Sequence, residues 1–389
     1  MDAFERYKSY LSFSQIAGWV ICSMRITFVL PYAGTAGGMR VAAIYAERLQ
    51  ARGHEVQVVC RPPRPISLRQ QLRSVLKGRG WLSNHPSPYF EHRNFHLHTL
   101  EKWRPVTADD VPDADVVIAT WWETAEWIAE FPASKGAKVY FVQHHEALLP
   151  HQPSERVKAT LCLPMHKITI AEWLVDVIRK ECKDEQATLV PNSVNTEQFN
   201  APLRGKQPVP TVGVMYADVL WKGCDISLEA FSLAAKKIPN LRLVAFGQSH
   251  PVESLPLPPQ TRYSLRPLQS EIKHLYAQCD AWLFGSRIEG FGLPILEAMA
   301  CRTPVIGTSA GAAPELLKQG CGILVKPEDP QAMAEAIEQV VAMSEIEWKK
   351  MSQLAYERAT SYTWDDATTL FETALHQAVV RSQKQEIKA

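Results

Sequence analysis

Two doubly wound α/β domains facing each other across a cleft are what this sequence predicts. Three observations lead there. From Met24 onward, short apolar runs alternate with helix-length segments. The alternation breaks once, at the Pro- and Asn-rich stretch VPNSVNTEQFNAPLRGKQPVP (190–210), and then restarts. The chain has 389 residues, enough for two cores of ordinary size. Strands separated by helices form parallel sheets covered on both faces, and such sheets take ligands at the carboxyl ends of their strands.

In chain order, RITFVL, EVQVVC, DVVIAT, KVYFVQ and KITIA read as buried strands, with helices at 39–52 and 171–182 among them. After the linker come TVGVMY, a helix at 224–237, LRLVAFG, a helix at 269–279, AWLFGS, a helix at 293–301, TPVIGT and GILVKP. The tail from about 330 to 383 has helical period. The expected organisation is an N-terminal extension at 1–23, a first domain at 24–195, a second at 196–365, and a last helix, 366–389, packing back on the first domain. The extension carries charges of both signs and a short apolar patch, without an A-x-A site. It reads as an extra helix or an upstream start rather than a secretory signal.

Apolar residues make up 46% and charged residues 21%, as in soluble globular proteins. A net charge of +1 does not favour a nucleic-acid partner. No run of eighteen apolar residues suggests a membrane span. The eight cysteines are scattered without a CxxC, and are read as reduced core thiols of a cytoplasmic protein.

Three constellations carry chemistry. Gly37-Gly38 sit in a small-residue loop between a strand ending at Leu30 and a helix, where amide groups and a helix N terminus can meet an anion. The dinucleotide fingerprint G-x-G-x-x-G does not fit, because position 36 is Ala and position 39 is Met. A flexible turn without a ligand is the plain alternative. Lys222-Gly223 hold the same topological place in the second domain, and a lysine there can set a point charge on a phosphate. In EGFGLPILE, Glu289 lies in a turn and Glu297 inside the following helix, with Gly290, Phe291 and Gly292 between. Ionised carboxylates only accept hydrogen bonds, and sugar hydroxyls donate them.

Glu289-x₇-Glu297, within SRIEGFGLPILEAMACRTPVIGTSAGAAPELL, resembles the signature of the retaining glycosyltransferases of family four. GGMRVAAIYAERLQARGHEV, VPNSVNTEQF, Lys222-Gly223 and SYTW extend the resemblance from residue 24 to about residue 380. It implies the GT-B fold, two Rossmann-like domains with the active site between them. The implied reaction moves a sugar from a UDP-, GDP- or dTDP-sugar to a hydroxyl of a glycan or lipid-linked acceptor, with no cofactor. Surface polysaccharide, glycolipid or other glycan synthesis is the implied setting. By the same resemblance Glu289 contacts the donor sugar, Gly290, Phe291 and Gly292 offer main-chain groups, Glu297 holds the ribose and Lys222 faces the diphosphate. His145 matches a position close to the reacting sugar, with His144 as the register alternative. No metal constellation is visible and no D-x-D stands in a convincing loop, so metal independence is expected. Two other readings stay open: a nucleotide-sugar 2-epimerase of the same fold, and a binding relative without turnover.

The chain departs from the family pattern in places. The segment VGVMYADVLWKG lacks the Arg that usually precedes the Lys, so diphosphate neutralisation falls to Lys222, the Gly37-Gly38 amides and Arg40. Arg302 stands where Gly is usual, and Ala171 where Ser is common. One segment looks particular to the acceptor side. Residues 61–79 hold six basic residues and no acid, with Leu68, Leu72, Val75 and Leu76 on one helical face and Arg69, Arg73 and Lys77 on another. That pattern suits peripheral contact with an anionic membrane or a phosphorylated acceptor; the alternative is a core-packed helix with a solvated basic face.

Overall fold

The computed structural model describes residues 23–76, 81, 89–90 and 93–386. All but the last residue of the 1–23 extension, and Lys77, lie outside them. The first sheet contains β1 (Arg25–Leu30), β2 (Glu55–Cys60), β3 (His96–Thr99), β4 (Val116–Ala119), β5 (Ala137–Val142), β6 (His166–Thr169) and β7 (Thr188–Leu189). Their spatial order is β3-β2-β1-β4-β5-β6-β7, with all neighbours parallel. Between them run α1 (Gly37–Ala51), α2 (Leu68–Leu76), α3 (Trp122–Ala129), α4 (Ser154–Leu161) and α5 (Glu172–Cys182). The second sheet, β10-β9-β8-β11-β12-β13, is also parallel. It comprises β8 (Thr211–Tyr216), β9 (Arg242–Gly247), β10 (Arg262–Leu265), β11 (Ala281–Phe284), β12 (Val305–Thr308) and β13 (Gly322–Val325). Its helices are α6 (Cys224–Lys237), α7 (Gln269–Ala277), α8 (Leu293–Ala300), α9 (Ala313–Leu316), α10 (Pro330–Ala342) and α11 (Glu345–Thr360). The last helix is α12 (Trp364–Glu386).

Central strands such as β4 (VVIA), β11 (AWLF) and β12 (VIGT) are buried along their whole length, as helices on both faces require. In each sheet the strand order reverses once, between β1 and β4 and between β8 and β11. Loops that leave neighbouring strands in opposite directions open a crevice at such a point. The crevice in the second sheet therefore lies between the loop after β8 and the turn after β11.

The tail helix α12 packs on the first domain. Phe371 stacks on Tyr45 of α1 with ring centroids 4.2 Å apart and meets Phe141 of β5 edge-on at 5.1 Å. Beside it, Glu372 accepts from Arg52 Nη1 at 2.8 Å and from His54 Nε2 at 2.8 Å. The Met24 amide donates to His54 Nδ1, which leaves Nε2 as the protonated nitrogen.

The reading of all the cysteines as reduced thiols is corrected by the structure. Cys162 and Cys182 form a disulfide, with Cα atoms 5.0 Å apart. They follow α4 and end α5, and the packing of these helix ends brings together residues twenty apart in sequence, a proximity without any sequence spacing to reveal it. Cys60, Cys224, Cys279, Cys301 and Cys321 are buried and stand outside the disulfide.

This packing can be tested at two positions. Phe371→Ala removes a fully buried ring and is expected to lower the stability of the first domain by about 3–5 kcal/mol, measured by urea denaturation; an unchanged midpoint would mean α12 is not part of that core. The other position is Glu146, buried behind the end of β5, where it accepts from Tyr140 Oη at 3.2 Å. Burial pushes its carboxyl up to about 8. The folded state then holds a proton that the unfolded chain loses near pH 4.5, so stability falls as pH rises between about 4.5 and 8. The slope should reach at most about 1.4 kcal/mol per pH unit. Glu146→Gln should remove this component and leave the variant relatively more stable at pH 8 than at pH 5. Equal differences at both pH values would place the titration elsewhere.

Candidate functional site at the domain interface

The loop after β8 and the turn after β11 are zipped together. After Tyr216 the chain makes a short helical turn, Leu220–Lys222, and enters α6 through Gly223 at φ +56°. A Cβ on Gly223 would stand 1.8 Å from the Gly285 carbonyl oxygen, so only glycine allows this approach. The amides of Arg287 and Ile288 donate to the Trp221 carbonyl at 2.9 and 3.2 Å. Arg287 binds Asp225 through both oxygens, at 2.7 and 2.8 Å. This frame delivers Lys222 Nζ to 2.7 Å from Glu289 Oε1, and Ser286 Oγ donates to the same oxygen at 3.0 Å. Lys222 and Glu289 thus form an ion pair at the crevice of the second sheet.

The first domain meets this pair closely. Gly290 lies against the end of β5, where a Cβ would stand 2.0 Å from the Gln143 carbonyl oxygen. The Gly290 carbonyl accepts from Trp173 Nε1 at 2.9 Å. Gln143 Nε2 donates to the Gly38 carbonyl at 3.0 Å, while its Oε1 is buried without a partner among the described residues. Gly37 faces Leu293 at the start of α8. The N termini of α1 and α8 therefore converge from opposite domains. Neither has a side-chain cap or an acid in its first turn, which leaves amide donors and positive dipole ends at the interface.

Glu297 is inside α8, as expected, and 8% exposed. Arg40 Nη1 reaches it across the interface at 2.8 Å, and Tyr276 Oη donates to its other oxygen at 3.0 Å. Two of the carboxylate's roughly four lone-pair positions are thus used. The Arg40 guanidinium also lies over the rings of Tyr89 and Phe199. Sequence reasoning names Arg40 only as an aid to phosphate binding; its distance of 257 residues from Glu297 hides the pairing. Tyr276 and Gln143 carry no sequence signal.

The histidine register is the reverse of the one preferred from sequence. The His144 backbone lies against Gly290, within reach of the charges of Glu289 and Lys222; burial lowers its pKa, and Glu289 partly opposes this. His145 instead opens a turn at Glu146–Leu148 and points back into its own domain, with Nε2 3.6 Å from Glu181. Its pKa is also lowered by burial. The bend after β5 ends the strand's alternation, so a one-residue change decides which ring faces the interface.

The basic helix also differs from its core-packed alternative. In α2, Gln71 and Ser74 are buried, whereas Leu68, Leu72, Val75 and Leu76 are exposed, Leu68 at 75% and Leu76 at 86%. Arg69 and Arg73 are exposed beside them.

Comparisons with known proteins agree with this architecture. Residues 196–358 match the family described as glycosyl transferases group 1. A phosphatidylinositol N-acetylglucosaminyltransferase component from Arabidopsis thaliana is 25% identical over 217 residues, 54% of this chain and 48% of that protein. O-antigen chain mannosyltransferase B of Escherichia coli is 31% identical over 100 residues, 25% of this chain and 26% of that one. The chain thus matches half or less of the length of these curated relatives. Sucrose-phosphate synthase from Thermosynechococcus elongatus has a similar structure, with a TM-score of 0.70, 17% identity and coverage of 92% and 99% of the two chains. Anabaena HepE, solved in complex with UDP-glucose, gives 0.63 and 17%, covering 93% and 100%. At these identities the structural likeness establishes the fold, and the sequence match is a likeness of residues 196–358 to the family. Residues 196–358 of this chain are thus similar to the glycosyl transferases group 1, and the whole chain has the GT-B fold of two Rossmann-like domains.

Proposed function

We propose that this chain transfers a glycosyl group from a nucleotide-sugar to a hydroxyl acceptor, with retention of anomeric configuration and without a metal ion. The observation that carries the reading is the Lys222–Glu289 pair at the crevice of the second sheet, facing two uncapped helix N termini. Lys222 and the amides near Gly37, Gly38 and Gly290–Gly292 supply positive charge for a departing diphosphate, the role a divalent ion plays elsewhere. Glu289 accepts from donor-sugar hydroxyls, and Glu297 uses its remaining lone pairs for the ribose. The bond from the anomeric carbon to the phosphate oxygen breaks as the acceptor oxygen attacks the same face, and the acceptor's proton passes to that phosphate oxygen. His144, rather than His145, is the histidine beside the reacting sugar. UDP-sugars are the first donors to test, because Anabaena HepE binds UDP-glucose; GDP- and dTDP-sugars follow. The Arg40–Glu297 bridge must loosen for a donor to enter, which makes domain opening part of the cycle.

The test is a screen of nucleotide-sugars for thermal stabilisation and transfer, with the first-formed glycoside analysed by NMR. The expected product keeps the donor's anomeric configuration, and EDTA leaves activity intact. Lys222→Ala should weaken the nucleoside diphosphate more than the nucleoside, by about tenfold or more. Glu289→Gln should cut turnover strongly with folding intact. An inverted product, or equal losses for both ligands, would overturn the reading; sugar interconversion without acceptor would point to an epimerase.

We also propose that α2 touches an anionic membrane surface that carries the acceptor. Its apolar residues face outward beside Arg69 and Arg73, and a basic amphipathic helix with that exposure lies in a lipid interface. The named acceptors of relatives include a phosphatidylinositol and an inositol phosphate. The triple substitution Leu72→Asp, Arg69→Glu and Arg73→Glu should release the protein from phosphatidylglycerol vesicles while sparing donor binding. Failure of the unsubstituted protein to bind such vesicles would show α2 to be a structural helix only.

A further inference from the structure

The far end of α8, beyond the turn that bears Glu289, has a feature the transfer reaction does not use. The chain leaves the helix through Arg302 at φ +59°, a left-handed conformation that L side chains rarely adopt. Glycine is the residue expected there, and a strained side chain held in place calls for a role. Arg302 is 9% exposed. Its Nε donates to the Ala201 carbonyl at 3.1 Å and its Nη1 to Gln353 Oε1 at 2.7 Å, and the guanidinium lies 3.8 Å over the Tyr356 ring. Beside it, Arg204 donates to the carbonyls of Gly205, Cys279 and Arg302 and to Thr303 Oγ1, over the Trp348 ring.

Neither guanidinium has a carboxylate partner among the described residues. Their charges are answered by carbonyls and aromatic faces alone. Burial lowers the pKa of Arg204, with Asp280 opposing from a distance while its own oxygens are taken by the Gln207 and Thr211 amides. A guanidinium has five N–H donors. Arg302 spends two of them on Ala201 and Gln353, and Arg204 Nε is buried without a partner among the described residues.

Arg204 and Arg302 line a hollow of about 620 Å³, together with Lys349 and Lys350 of α11. The nearby acids are already engaged with residues of the wall. Glu345 pairs with Lys349 at 3.1 Å and accepts the Lys206 amide, and Glu357 accepts from Gln353 Nε2. Lys350 has no ion-pair partner among the described residues. The hollow therefore joins two under-compensated guanidinium groups and a free ammonium in a concavity of small-molecule size. Planar guanidinium donors beside a lysine suit phosphate oxygens.

We propose that this hollow binds a small soluble anion bearing phosphate, held by Arg302, Arg204 and Lys350 at the opposite end of α8 from Glu289. The site is independent of the donor reading, and its test keeps the two apart. Inorganic pyrophosphate is titrated calorimetrically into the full chain and into Lys222→Ala, which removes the proposed donor-side cation. Binding should persist in Lys222→Ala. Adding Arg302→Gly or Lys350→Glu to that background should weaken it by about tenfold or more. Glycine relieves the backbone at position 302 but forfeits the side chain's contacts with Ala201, Gln353 and Tyr356, so the unliganded melting temperature is measured beside the affinity; Lys350 is exposed, and its substitution leaves the fold intact. Unchanged affinity in both double variants would overturn the proposal, as would complete loss in Lys222→Ala alone or no binding to the unsubstituted chain. Phosphatidic acid vesicles form the second arm: Lys350-dependent vesicle binding without pyrophosphate binding would assign the cations to a lipid surface and overturn the soluble ligand.

Discussion

The close approach of Gly290 to the Gln143 carbonyl is the constraint on which the interface depends. A Cβ at that point would stand 2.0 Å from the oxygen, so the domains can meet there only backbone to backbone. With the turn so near β5, Trp173 reaches the Gly290 carbonyl, Gly37 meets Leu293, and His144 comes under the influence of Glu289. A larger residue at 290 would push the turn away and separate all of these together. The glycines of EGFGLPILE thus serve the distance between two domains as much as the shape of one turn.

Electrostatics sets the register of that contact. Arg40 and Glu297 are both largely buried, and desolvating two charges offsets much of their attraction. Such a bridge contributes little net stability, but a mispaired interface would strand one charge without its partner. The Tyr276 hydroxyl and the rings of Tyr89 and Phe199 complete the setting. The bridge therefore specifies one relative placement of α1 and α8, whose N termini both face the crevice.

Much of this is legible in the sequence, for identifiable reasons. RITFVL, EVQVVC, TVGVMY and AWLF are apolar because both faces of their sheets are covered, and their strands lie where the runs predict. The edge strands HLHT and RYSL are largely open to solvent and carry no such run, so apolar patterning does not reveal them. Glu289 and Glu297 are separable into turn and helix because Gly292 and Pro294 punctuate the chain between them. Other features depend on tertiary placement. Helical spacing in α2 shows which residues share a face, not that Gln71 and Ser74 turn inward. A bend of one residue exchanges His144 and His145. The joining of Cys162 to Cys182 needs the ends of two helices to meet.

The same interface suggests how one site could serve a ligand of mixed chemistry. At rest its two carboxylates are both paired with cations, Glu289 with Lys222 and Glu297 with Arg40. A buried charge without a counter-charge is costly, so an empty crevice needs internal partners. On the proposed function, a nucleotide-sugar divides along the same line: its diphosphate is a better partner for Lys222 than Glu289 is, and its hydroxyls are donors that a released Glu289 can accept. One exchange then gives the cation to the phosphate and the carboxylate to the sugar, with no net charge brought into or out of the protein groups. A neutral sugar alone could not displace Lys222, and a free phosphate would leave Glu289 unpaired. The ion pair therefore favours the ligand that carries both parts, and discrimination arises from the penalty on each part alone.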